Sequence, residues 1–168
     1  MFLEISTLAG LPAHALLVHA AVILVPLAVL ALVATGWKAS WRKAYSLPIA
    51  ILAVAGAISA FLAKESGEPL EDAVKRAASR AGEQARFGDH PEQGDLAFIF
   101  ALLFAMAAIG FWAADRYQEK FSLPKQSGIV SYGLAVAVAA VALVTMVIAG
   151  HSGAELVWKD VGSFAAGR

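Results

Sequence analysis

The sequence predicts an all-α integral membrane protein built as a four-helix bundle. Its 168 residues are 60% hydrophobic and 15% charged, with a mean hydropathy of +0.70, a composition typical of membrane proteins. Four apolar stretches lack Asp, Glu, Lys and Arg, and each can cross a hydrocarbon core of about 30 Å as a helix. We therefore expect a single four-span domain, with its spans at residues 13–36, 46–63, 96–114 and 128–150.

The connection between the second and third spans, residues 64–95, is predicted to contain a further helix. Pro69 suits the first turn of a helix, Glu71 and Asp72 follow in that turn, and basic residues come later, as the helix dipole favours. We expect an amphipathic helix over residues 69–85 that lies against the outer face of the bundle. A solvated charged helix that only connects the two spans is the alternative.

Small residues predict where the helices pack. Lipid gives helices no hydrophobic reason to associate, so helix contacts in membranes favour Gly and Ala that allow close approach. This pattern recurs in the last three spans, at Gly56 with Ala60, at Ala101 with Ala105, and at Ala135, Ala139 and Ala142.

Basic and aromatic residues predict the orientation in the membrane. The first connection holds Lys38, Arg42 and Lys43 without any acid, whereas residues 1–11 contain no Lys or Arg. Cytoplasmic connections carry an excess of Lys and Arg, so both termini are expected outside the cytoplasm, in a multi-pass protein of the inner membrane. An interfacial belt of aromatic residues is expected at the cytoplasmic side, formed by Trp37, Trp41, Tyr45, Trp112, Tyr117 and Tyr132.

Composition and motifs exclude several functional classes. The formal net charge is zero and no segment is rich in Lys and Arg, which argues against binding to nucleic acid. The chain has no cysteine, so disulfides, thiolate catalysis and c-type haem attachment are excluded. Hydrolase, zinc-protease, P-loop and dinucleotide-binding motifs are also missing from the sequence. An electron-transfer or accessory protein is therefore favoured over an enzyme.

The four histidines, His14, His19, His90 and His151, all lie near the predicted outer ends of apolar stretches. Three spans thereby place imidazoles at a similar depth near the outer side of the membrane. An ionisable residue inside a membrane indicates a functional site. The five residues from His14 to His19 correspond to about 500° of helix, so these two point about 140° apart and are not expected to share one small ion. His19, with apolar neighbours, is expected to be the more deeply buried of the two.

A b-type haem suits these residues, because its iron takes neutral imidazole and its macrocycle fills an apolar interior. His19 is expected to pair with His90 or His151 on the iron, while the remaining histidines, His14 among them, complete the cofactor site. The predicted function is electron transfer or haem sensing at the extracytoplasmic face, alongside redox or respiratory membrane proteins.

Three alternatives stay open. The first is a zinc or copper ion held by His90, His151 and a carboxylate. The second is a non-catalytic accessory subunit, as a monomer or an oligomer, whose histidines form only a polar network. The third is a proton relay, since histidine titrates near neutral pH. The polar side chains expected around the ligands are Glu68, Asp95, Ser152 and Glu155.

Short motifs resemble one bacterial membrane family. They are Leu11-Pro12-Ala13-His14 with His19 and Pro26, Gly67-Glu68 with Leu70-Glu71, His90 with Gly94-Asp95, and Gly150-His151-Ser152-Gly153-Ala154-Glu155 with Trp158. Over residues 11–158 the chain is similar to the family called domain of unknown function 2231. This resemblance implies four membrane helices in a family suspected of haem binding or respiratory electron transfer. It matches His19, His90 and His151 to recurring histidines, and His14-Ala15 to a position where many members have His-Pro.

Overall fold

The structure, a computed structural model, describes residues 7–8, 11–124 and 126–166. A short antiparallel ribbon of β1 (Thr7–Leu8) and β2 (Leu11–Pro12) precedes the helices. The helices are α1 (Ala13–Ala34, followed by a 3-10 turn at Thr35–Trp37), α2 (Ala39–Arg80), α3 (His90–Tyr117) and α4 (Ser127–Ala166). Each contains a stretch long and apolar enough to cross a membrane. The predicted all-α four-helix membrane fold is confirmed.

The four helices form an up-and-down ring. In this ring α1 packs on α2, α2 on α3, α3 on α4 and α4 on α1, and the α1–α4 interface is the smallest of the four. Consecutive helices are antiparallel, so α1 and α3 begin at the same end of the bundle. We call this the histidine end, and the opposite end, where α2 and α4 begin, the aromatic end.

Small residues build most of the core, as the sequence predicted. Gly56, Ala101 and Ala135 are buried together with the small residues one turn further on, so the helix backbones approach closely. Phe104 and Phe111 are the largest fully buried side chains of the described residues. Large aliphatic side chains such as Ile23 and Leu30 are more than 60% exposed on the bundle surface, where a bilayer would cover them.

The structure differs from the sequence prediction after the second span. In place of a separate helix over residues 69–85, α2 continues through Pro69 as one helix of 42 residues. The fixed φ of proline fits a helix, and its ring removes only one backbone hydrogen bond. Helices also extend beyond the predicted spans at other ends, and α4 continues well past Gly150 to Ala166. Hydropathy marks the membrane-embedded part of a helix and not where the helix ends.

The aromatic end contains the residues predicted to form the interfacial belt. They lie in the 3-10 turn, in the first turns of α2 and α4, and in the last turns of α3. Trp37 is 81% exposed and Tyr45 is 52% exposed, whereas Tyr132 is half-buried against the core.

Candidate functional site

His14 and His90 meet at the histidine end of the bundle. His14 lies in the first turn of α1 and His90 is the first residue of α3, and their ring centroids are 6.3 Å apart with planes at 88°. Because α1 and α3 are not neighbours in the ring of helices, the pair spans the diagonal of the bundle. The two rings border a pocket of about 70 Å³ with mostly apolar walls, contributed by all four helices.

The backbone of α2 fixes the His14 ring. Its Nδ1 lies 2.8 Å from the carbonyl oxygen of Ala63. A carbonyl oxygen only accepts, so Nδ1 carries the proton and the Nε2 of the neutral ring keeps its lone pair. Gly67 gives the ring room, because a Cβ at this position would lie 3.1 Å from the Cε1 and Nδ1 atoms of His14.

A serine on α4 fixes the His90 ring in the same way. The Ser152 hydroxyl donates to the carbonyl oxygen of Ala149 at 3.0 Å, and its oxygen lies 2.9 Å from Nδ1 of His90. Since the serine proton is used, Nδ1 of His90 is the donor and Nε2 again keeps its lone pair. Gly153 admits the ring, because a Cβ there would lie only 2.9 Å from Cε1 of His90.

Both rings thus have the hydrogen bonding typical of metal-ligating histidines. Such histidines usually donate the N–H of one ring nitrogen to a carbonyl or another acceptor, which orients the ring and leaves the other nitrogen for the metal. Among the described residues, neither Nε2 atom has a hydrogen-bond partner. The pair therefore offers two oriented imidazole ligands from opposite sides of the bundle.

Lys64 joins two helices at the rim of this pocket. Its ammonium lies 3.3 Å from Glu68 on α2 and 3.2 Å from Asp95 on α3. Glu68 and Asp95, expected beside the histidines, are paired with this lysine in the structure. The sequence argument missed Lys64, although it is the first charged residue after the second apolar stretch.

The other residues predicted for the site lie outside the pocket. His19 is exposed, and its Nδ1 lies 2.5 Å from the carbonyl oxygen of Ala15 on its own helix. His151 and Glu155 on α4 are also exposed. The expected rotation between His14 and His19 holds, but His14 points inward and His19 outward. The apolar neighbours of His19, such as Ile23 at 62% exposure, mark the outer surface of the bundle and not its core.

The number of protein ligands distinguishes the kinds of metal centre. Across residues 13–124 and 126–158, no group of three or more His, Asp or Glu side chains is placed to hold a metal ion. Protein-bound zinc takes three or four such ligands, whereas haem iron takes one or two, with the porphyrin supplying the others. The described residues thus bring two imidazoles together at this end of the bundle.

Fold and site together define an integral four-helix membrane protein with a half-buried histidine pair at one end. The family described as a predicted membrane protein, DUF2231, matches residues 10–165, and the chain belongs to this family. Neither a curated protein nor a solved structure matches the chain significantly.

Proposed function

We propose that this protein is a membrane-bound b-type haem protein of electron transfer or haem sensing, with His14 and His90 as its axial ligands. The observation that carries the proposal is the pair itself, two half-buried imidazoles on opposite helices whose Nδ1 atoms are held and whose Nε2 atoms are available. When bound, the haem supplies one-electron chemistry, and the protein sets its ligands and surroundings.

The separation of the two rings supports a shared metal. A metal–nitrogen bond of about 2.0–2.1 Å puts the centroid of an imidazole roughly 3.2 Å from the metal. Two imidazoles on one metal would therefore have centroids at most about 6.4 Å apart, and the observed 6.3 Å lies within that limit. Small residues of α2 and α4, including Ala63 and Gly150, form the flanking walls of the pocket.

The size of the pocket adds a requirement to the proposal. Cofactor pockets usually exceed about 300 Å³, whereas this pocket measures about 70 Å³. Haem binding therefore requires the histidine end to widen. The smallest interface between neighbouring helices is the one between α1 and α4, and we propose that the widening occurs there.

A bare copper or zinc ion is the second candidate, and the small volume of the pocket favours it. An accessory role is the third, in which the hydrogen bonds of His14 and His90 serve only as a polar network. The visible spectrum of gently purified protein distinguishes the three. A Soret band with reducible α and β bands supports haem. A spectrum without a Soret band together with stoichiometric copper or zinc would replace haem by a bare ion, and a protein with neither haem nor metal would leave the accessory role.

We also propose that the histidine end faces the extracytoplasmic side of the inner membrane. The acid-free group of Lys38, Arg42 and Lys43 lies at the aromatic end, which the positive-inside rule assigns to the cytoplasm. In this orientation α1 begins and α4 ends outside the cytoplasm. The haem then lies near the extracytoplasmic surface, within reach of redox or respiratory membrane proteins as partners.

Replacing Ser152 with alanine is expected to weaken haem binding without abolishing it. The variant removes the acceptor for Nδ1 of His90 while both ligands stay in place, and comparable changes beside metal ligands cost about 10–100-fold in affinity. Haem titration of the apoprotein measures the change, and Ser131→Ala, at a serine whose only described partner is the Gly128 carbonyl, is the matched control. Equal affinities in the two variants would remove Ser152 from the site.

A further inference from the structure

The cations at the start of α2 contact aromatic rings. The Lys38 ammonium lies 5.6 Å from the centre of the Trp41 ring, and the Arg42 guanidinium lies 5.5 Å from the centre of the Tyr132 ring. Lys43 is exposed beside them, and residues 35–46 contain no acid. We call Lys38, Arg42 and Lys43 the basic cluster.

The ion pairs of the described residues do not involve the basic cluster. Within the described part of the chain, the ion pairs are Lys64 with Glu68, Lys64 with Asp95, and Lys75 with Glu71. Both lysines lie in the second half of α2, at the histidine end of the bundle. The basic cluster has no carboxylate within ion-pair distance among the same residues. Its charge is therefore available to an anion from outside the protein.

Arg42 is the most constrained member of the basic cluster. It is half-buried and reaches from α2 to Tyr132 on α4. Tyr132 is itself held by the Phe111 ring at 5.5 Å and donates its hydroxyl to the Leu32 carbonyl oxygen at 3.4 Å. The contact with the ring uses none of the guanidinium's N–H groups in an ion pair, and a planar guanidinium matches the oxygens of a phosphate.

We propose that the basic cluster binds the phosphate of an anionic phospholipid headgroup. The surrounding Trp37, Trp41 and Tyr45 are exposed, as belongs to aromatic residues at headgroup depth, so the cations lie where lipid phosphates are found. A lipid occupant also fits the apolar surface around the cluster, since Leu47 is 45% exposed beside it. The proposal is independent of the haem proposal, because it concerns the opposite end of the bundle.

Native mass spectrometry of delipidated full-length protein titrated with phosphatidylglycerol or phosphatidylcholine tests this site. The unaltered protein is expected to retain phosphatidylglycerol in preference to phosphatidylcholine. Arg42→Gln is expected to reduce the retention of phosphatidylglycerol about five-fold, since one basic residue near an anionic lipid contributes about this factor to the affinity. Arg86→Gln, at an exposed arginine in the connection after α2, is the matched control and is expected to retain the lipid fully.

Further variants keep the test decisive if Arg42→Gln fails to fold. Lys38→Gln/Lys43→Gln changes only exposed side chains and is also expected to lower phosphatidylglycerol retention. Equal retention of the two lipids by the unaltered protein would overturn the proposal. So would full retention by the double lysine variant, or displacement of the lipid by inorganic phosphate at matched ionic strength, which would indicate a site for the free anion.

Discussion

Replacing His90 with alanine is expected to abolish haem retention while leaving the four helices inserted in the membrane. The ring lies at the very start of α3 and is hydrogen-bonded to Ser152, so its loss would remove the proposed iron ligand without removing a core side chain. His14→Ala is expected to have the same effect, because His14 is the second ligand in the proposed site. The haem-to-protein ratio of the purified variants, with membrane fractionation to confirm insertion, measures the result.

The two exposed histidines supply the matched controls for this experiment. His19 and His151 lie near the same end of the bundle but outside the pocket, so His19→Ala and His151→Ala are expected to retain haem at the level of the unaltered protein. Loss of haem from His19→Ala with retention by His14→Ala would reverse the assignment and restore the ligand set predicted from the sequence.

Replacing Gly56 with leucine is expected to destabilise the bundle by about 1–3 kcal/mol, the usual cost of overpacking a core. A Cβ at this position would lie 2.7 Å from Cγ2 of Val25 and 3.3 Å from its backbone nitrogen. Val25 is fully buried and stiff at χ1, so the contact is relieved only by moving α1 away from α2. Leucine forms helices better than glycine by less than about 1 kcal/mol, which does not offset this cost. The thermal unfolding midpoint in detergent measures the difference.

Gly110→Ala is the matched control for helix packing. Gly110 lies in α3, and a Cβ there would meet nothing within 4 Å. This substitution is expected to leave the unfolding midpoint unchanged or slightly raised. A loss of stability at Gly110 as large as that at Gly56 would show that helix contacts do not explain the requirement for glycine.

The fold followed from the sequence because membrane insertion leaves few solutions. Runs without charge, about 20 residues long, must be helical in lipid, and their number gives the number of spans. Small residues such as Gly56 and Ala101 then identified buried faces correctly. The ends of α2 and α4 could not be predicted from the sequence, because hydropathy does not change where a helix that has left the membrane ends. Pro69, which suggested the start of a new helix, is accommodated inside α2.

The site followed from the sequence only in part. The sequence placed the histidines near one end of the spans and Ser152 among the polar residues around them, and the structure brings His14, His90 and Ser152 together at that end. The sequence could not predict whether His14 or His19 faces inward, because the rotation of α1 about its axis depends on its contacts with α2 and α4. Apolar neighbours are equally expected in the core and on a lipid-facing surface, so they did not predict the exposure of His19.

The electron paramagnetic resonance spectrum of the oxidised, haem-loaded protein is the most direct test of the histidine pair. Two axial imidazoles from His14 and His90 are expected to give low-spin ferric iron, with the low-spin signal lost in both alanine variants and kept in His19→Ala. A high-spin ferric signal in the unaltered protein, or a low-spin signal that survives in His14→Ala and His90→Ala, would contradict ligation by this pair.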